Sequence, residues 1–85
     1  MQAIYKLPLV LEPQPEGGYT VTCPVLPELI TEGDTVKEAL DNAADALAAI
    51  IEAYEDLGRP LPSALKQLTA NEPISAETLV PVGKP

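Results

Sequence analysis

The chain has no histidine, phenylalanine or tryptophan, and its single cysteine is Cys23. Without histidine it cannot build a Ser–His–Asp or Cys–His nucleophilic site, nor a histidine-ligated zinc centre. One cysteine cannot form an intramolecular disulfide, so nothing points to an oxidising compartment. Three tyrosines are the only aromatic residues among 85. These absences exclude most enzymatic chemistry. The length of 85 residues predicts one small domain, residues 1–85, and its size and few aromatic residues predict a thin core.

Basic residues are also scarce. The chain has five Lys and Arg and 13 Asp and Glu, which give a net charge of −8. Phosphate binding needs clustered Lys and Arg, so this balance disfavours nucleic acid and anionic membranes and favours a basic protein partner. No apolar stretch approaches the ~18 residues of a membrane span. The first residues lack the basic region and cleavage site of a signal peptide. We therefore expect a cytoplasmic domain.

Three stretches in the first half of the chain predict β-strands. Residues 3–12 place an apolar side chain at every second position, although Pro8 cannot donate to a ladder. The apolar side chains on one face of this stretch are Ala3, Tyr5, Leu7, Leu9 and Leu11. Residues 19–23 alternate likewise, and the Gly-Gly pair before them predicts an antiparallel hairpin. Residues 29–32 predict a short third strand.

A long helix is the strongest local signal in the sequence. Thr35, followed three residues later by Glu38, is typical of a capping box. Apolar residues then recur every three or four positions to about Leu57. Gly58 is a natural C-terminal cap, and Pro60 prevents the helix from continuing. The pattern predicts one helix that covers one face of a small sheet.

The remaining signals are weaker. Residues 63–70 predict one or two helical turns, and residues 78–82 predict a last short strand. We interpret Cys23 as a small buried hydrophobe, not a reactive thiol, because no base or helix N-terminus stands beside it in sequence. The acidic face of the helix is interpreted first as a solvated surface, with docking of a basic partner as the alternative.

An ordered set of short motifs connects these elements. Its members are Tyr5, Glu16-Gly17-Gly18-Tyr19, Val21, Pro24-x-Leu26-Pro27, Thr31-Glu32-Gly33-Asp34-Thr35, Glu38-Ala39, Asn42-Ala43, Ala46-Leu47 and Gly58-Arg59-Pro60-Leu61-Pro62. In this order they resemble the HicB-like antitoxins, the antitoxin half of bacterial HicA/HicB toxin–antitoxin pairs. The resemblance covers residues 4–62 closely and the tail, residues 63–85, loosely.

The resemblance implies an α+β fold of the truncated RNase H-like type. The elements would follow the order β-β-β-α-β in one mixed sheet of order 3-2-1-4. The last strand would run parallel to the first, and Pro8 would lie before the last strand begins or in a bulge.

The resemblance also implies a function. Family members bind HicA, a small basic RNA-cleaving toxin, and mask its active site; they are typically dimers or tetramers. For the partner-binding rim we expect Glu28, Glu32 and Asp34, while Thr35 and Glu38 cap the helix. The chain ends at Pro85, so we expect a short stand-alone member without a DNA-binding module.

Two alternatives remain open. An orphan homo-oligomeric regulatory or structural protein of the same fold would have no toxin partner. A metal-dependent nuclease is suggested by the RNase H-like fold, but such sites need an acid on the first strand, and residues 3–11 contain none. We therefore expect no catalytic residue, no metal and no cofactor.

Overall fold

The computed structural model describes residues 4–68, 71, 73–78, 80 and 82–83, and it has an α+β architecture of short antiparallel strands around one helix. In chain order the elements are β1 (Ile4–Lys6), β2 (Val10–Pro13), β3 (Tyr19–Thr22), β4 (Ile30–Gly33), α1 (Val36–Asp56) and β5 (Lys66–Leu68).

Strands β2, β3 and β4 form an antiparallel meander in which β3 is central. Its register aligns Leu11 with Val21, and Val21 with Thr31. The turn between β2 and β3 needs positive φ at Gly17 (102°) and Gly18 (81°), a region that glycine enters without steric cost. The predicted hairpin and the short third strand are therefore confirmed.

The predicted first strand, residues 3–12, is interrupted. Residues 7–9 lie outside any strand, and Pro8 stands in the middle of this gap. Because proline has no N–H, it cannot take part in a central ladder. The predicted alternation of buried and exposed side chains nevertheless continues across the gap. Every second side chain from Tyr5 to Leu11 is half-buried, and the intervening ones are exposed. Ala3 lies outside the described residues.

The single sheet of order 3-2-1-4 is not confirmed. The meander β2-β3-β4 supplies its first three positions, but β5 pairs antiparallel with β1 in a separate two-stranded sheet. The helical turns predicted over residues 63–70 are wrong, because pairing with β1 overrides a weak local preference in Lys66–Leu68. In the predicted strand 78–82, Thr78, Val80 and Val82 are irregular, while Leu79 and Pro81 lie outside the described residues.

Helix α1 begins and ends as its sequence predicts. Thr35 is the N-cap, with an extended backbone, and Leu57 is the C-cap. Beyond it Gly58 has φ 65° and donates to Glu55 O, while Arg59 N–H donates to Tyr54 O at 2.9 Å. These two bonds form a Schellman motif, which satisfies carbonyls that the last turn leaves without partners.

The core lies between α1 and one face of the three-stranded sheet. Its fully or nearly fully buried members are Val21, Cys23, Leu26, Leu29, Ala39 and Ala43. The interpretation of Cys23 as a small buried hydrophobe is confirmed. No helix among the described residues is long and apolar enough to cross a membrane.

Gly33 sets the distance between sheet and helix. A Cβ added there would lie 2.4 Å from Ala39 N and 2.6 Å from Ala39 Cα, far inside van der Waals contact. The first turn of α1 therefore packs directly on the backbone of β4, and any side chain at position 33 would separate the two elements.

We expect Gly33→Ala to destabilise the fold by about 1–3 kcal/mol, the usual cost of an overpacked core. Urea unfolding measures the change. Gly83→Ala is the matched control, because a Cβ there would meet nothing within 4 Å. Equal stability of the two variants would contradict this account of the helix–sheet contact.

Candidate functional site

An acidic cleft of about 250 Å³ lies where the β2–β3 turn meets the N-terminus of α1. Its lining includes the acids Glu32, Asp34 and Glu38 and the amides Gln14 and Asn42. Glu32 and Asp34 are two of the residues expected in the partner-binding rim, and the structure brings them together here.

Hydrogen bonds fix the junction between β4 and α1, where these acids lie. Thr35 Oγ1 accepts from Glu38 N–H at 3.1 Å, and Glu38 Oε1 accepts from Asp34 N–H at 3.1 Å. The side chain of Glu38 thus reaches one residue further back than the N-cap that a capping box would use. Asn42 Nδ2 donates to Glu32 O at 2.7 Å, which ties the end of β4 to α1.

The Gly-Gly turn forms the other wall of the cleft and approaches β4 closely. A Cβ on Gly18 would lie 3.0 Å from Gly33 O, and its φ of +81° disfavours any other residue. The cleft therefore joins three segments that the sequence separates, namely the β2–β3 turn, the end of β4 and the first turns of α1.

Glu28, the third residue expected in the rim, lies elsewhere. Its carboxylate accepts a hydrogen bond from the Tyr54 hydroxyl near the other end of α1. Val36 and Tyr54 are 18 residues apart on this helix, about 27 Å at 1.5 Å per residue. The structure thus brings Glu32 and Asp34 together and keeps Glu28 apart from them.

The Tyr54–Glu28 contact changes the acidity of both groups. The hydrogen bond from Tyr54, a backbone hydrogen bond and the positive charge of Arg59 lower the pKa of Glu28 below 4.5. The same hydrogen bond raises the pKa of Tyr54 above 10.0. Sequence reasoning missed this pair, since two residues 26 positions apart leave no local signal, and it missed the Asn42–Glu32 tie for the same reason.

The geometry of the cleft suits recognition of cationic groups. Among the described residues, no three acidic or cysteine side chains converge as a metal site would require. The carboxylates of Glu32 and Asp34 are both on exposed residues and have no hydrogen-bond partner among the described residues. Such groups accept hydrogen bonds from Lys and Arg, and their exposure keeps each contact weak on its own.

Comparison with known proteins identifies relatives of this chain. Residues 6–79 match the family model described as HicB_like antitoxin of bacterial toxin-antitoxin system. "Antitoxin HicB 1" of Photorhabdus laumondii is 44% identical over 77 residues, covering 88% of this chain and 50% of that protein. "Antitoxin HicB" of Escherichia coli K12 is 44% identical over 62 residues, covering 71% of this chain and 45% of that protein.

A shorter relative also matches. A UPF0150 protein of Synechocystis is 36% identical over 59 residues, which cover 69% of this chain and 75% of that protein. The family match spans most of the chain, and it defines the class as an antitoxin domain of a toxin–antitoxin system. The chain belongs to the HicB-like antitoxin family. It spans about half the length of the HicB relatives it matches.

The Tyr54–Glu28 pair leads to a prediction about how the stability of the fold depends on pH. Because the pKa of Glu28 is lowered, its ionised carboxylate stabilises the fold fully at pH values above 4.5, the ordinary pKa of a glutamate. This contribution is lost as the pH falls through the lowered pKa. We expect Tyr54→Phe to raise the pKa of Glu28 towards 4.5 and to reduce the loss of stability in acid.

Carboxyl-detected NMR titration measures the pKa, and urea unfolding at several pH values measures the stability. Tyr5→Phe is the control, because it removes a hydroxyl on β1 and should leave the pKa of Glu28 unchanged. An unchanged pKa of Glu28 in Tyr54→Phe would refute the assignment of its cause.

Proposed function

We propose that this chain is an antitoxin domain that binds a small basic HicA-type toxin and masks its active site. Membership of the HicB-like antitoxin family is the observation that carries the proposal. The net charge of −8 supports it, because complementary charge raises the association rate with a basic partner and selects against acidic ones.

Within this proposal, Glu32 and Asp34 form the acidic rim that meets basic side chains of the toxin. The ordered loop supports this role, since the cap at Thr35 and the Asn42–Glu32 bond hold both residues in place before binding. Glu28 enters the proposal as a separate contact near the other end of α1, where Tyr54 holds its carboxylate.

The proposal contains no catalytic step for this chain. The antitoxin would act by occupying the active site of its toxin, in the cytoplasm where that toxin cleaves RNA. A chain with five basic residues in 85 is also poorly suited to hold nucleic acid directly, so we propose that its partners are proteins.

The product of the neighbouring gene provides the test. Co-expression of the wild-type chain should yield a complex and restore growth. Glu32→Lys with Asp34→Lys should weaken binding about tenfold or more, because both acidic contacts become repulsive. Calorimetry on the purified proteins measures the affinity.

Asp45→Lys with Glu52→Lys is the matched control. Both double variants change the net charge from −8 to −4, but the control alters exposed positions on the polar face of α1. The control should bind like the wild type. If the neighbouring product is neither basic nor toxic, the antitoxin function fails and the orphan homo-oligomer takes its place.

We also propose that the chain self-associates as a dimer or tetramer, through the ribbon of β1 and β5. This ribbon has only three residue pairs, from Ile4–Leu68 to Lys6–Lys66. A two-stranded ribbon is marginally stable in water, and its outer edges carry unpaired backbone groups. Pairing two ribbons across a two-fold axis would give a four-stranded sheet.

Light scattering at micromolar concentration tests this. We expect two or four times the 9.0 kDa mass of one chain. Tyr5→Pro, which would remove a backbone donor from the middle of β1, should lower the mass to that of the monomer. A wild-type mass of one chain at every concentration would exclude self-association.

A further inference from the structure

The face of the three-stranded sheet that α1 leaves uncovered carries two parallel rows of side chains. The register places Val10 opposite Thr22 and Thr22 opposite Ile30, which makes one row apolar with a central threonine. Two residues further along each strand, Glu12 lies opposite Thr20 and Thr20 opposite Glu32, which makes the next row acidic. We call these six residues the outer face.

Both apolar side chains of the first row are exposed. Ile30 keeps 66% of its surface in solvent and Val10 keeps 43%, although both are large apolar side chains on ordered strands. They stand opposite each other across the central strand, so they form one continuous patch and not two isolated positions. Two exposed apolar side chains on one face make this row a candidate interaction surface.

The acidic row decides what can cover this patch. None of the six residues is basic, and neither Glu12 nor Glu32 has a side-chain partner among the described residues. Lys37 is paired with Asp41 on α1 at 2.9 Å, and α1 covers the opposite face of the sheet. A covering surface must therefore bring its own positive charges next to its apolar groups.

A second copy of the chain does not meet this requirement. Packed face to face about 10 Å apart, two copies would bring four carboxylates within roughly one screening length of one another. Contact restricted to the apolar row would involve three residues per copy, whereas a stable interface buries about 800 Å² per partner. An interface between two copies that covers only the apolar row is too small to be stable. One that covers both rows brings like charges together and is repulsive.

We infer that the outer face is the surface on which the basic toxin docks, through a segment that sets apolar side chains beside Lys or Arg. This inference rests on the proposed function and names the surface that performs it. Three strands at about 4.8 Å spacing make a patch about 10 Å wide, which fits one secondary-structure element of a partner. Glu32 connects this face to the acidic cleft, so the contact is continuous with the proposed rim.

The deciding variants alter only the apolar row. Val10→Lys with Ile30→Lys removes two exposed apolar side chains and adds two charges that repel a basic partner. Ile74→Lys with Val82→Lys is the matched control, because it makes the same chemical change at exposed positions of the tail, 51% and 78% accessible. Circular dichroism and urea unfolding establish that both variants fold.

Calorimetry with the purified product of the neighbouring gene then measures the affinity. We expect the outer-face variant to bind about tenfold more weakly or worse, and the tail variant to bind like the wild type. Equal affinity of both variants would overturn the inference while leaving the proposed antitoxin function intact. No binding by the wild-type chain would remove the function, and the inference with it.

Amide NMR spectra of the unaltered chain provide a second readout that does not depend on how the variants fold. Addition of the toxin should shift or broaden the signals of the outer face, namely Val10, Glu12, Thr20, Thr22, Ile30 and Glu32. Changes confined to α1 would place the toxin elsewhere and overturn the inference. Changes at the outer face on concentrating the chain alone would identify it as a self-interface and would also overturn it.

Discussion

The direct contact between the backbone of β4 and the first turn of α1 is the constraint on which the rest of the structure depends. Gly33 leaves no room for a side chain, and Ala39 and Ala43 continue the approach along α1 with the smallest apolar side chains. Close approach lets small residues exclude water completely, since Ala39 is fully buried. It also fixes the loop between β4 and α1, because Asp34 and Thr35 must span the distance between two elements in contact.

This contact also explains why the chain has two unequal faces. A core of two leucines, one valine, one cysteine and two alanines buries limited apolar area, and burial contributes roughly 25 cal/mol per Å². One helix can cover one face of a three-stranded sheet, and α1 covers the face that carries Val21 and Leu11. The opposite face is left with Val10 and Ile30 in solvent. The thin core and the exposed row thus have the same cause, because α1 is the one helix among the described residues and it packs on one face of the sheet.

Local sequence signals predicted what depends on local chemistry. The alternation from Tyr5 to Leu11 predicted which side chains face inwards, and it holds even across the break at Pro8. Thr35 and Gly58 predicted both ends of α1, because caps depend on side chains and dihedral angles near the terminus itself. β5 could not be predicted in this way, because residues 66–68 become a strand only by pairing with β1 far away in sequence.

The candidate site also combines features that follow from local sequence with features that depend on contacts distant in sequence. Glu32 and Asp34 are two positions apart, at the end of β4 and just after it, so their association followed from the chain itself. The separation of Glu28 from them did not, because it depends on the direction in which α1 carries Tyr54 away from the cleft. Charge counted along the sequence treats these three acids as equivalent, whereas the fold assigns them different surroundings.

The distribution of hydrogen bonds therefore matters more for recognition than the total charge does. Glu38 accepts from the backbone at the helix cap, Glu28 accepts from Tyr54, and Asp41 pairs with Lys37. Each of these carboxylates already interacts favourably within the chain, so a partner would have to compete for it. Glu12 and Glu32 have no such competitor among the described residues, and both lie beside the exposed apolar row. A basic partner gains the most binding free energy where unpaired negative charge and uncovered apolar surface coincide. One contact there neutralises the charge and also removes the apolar surface from water.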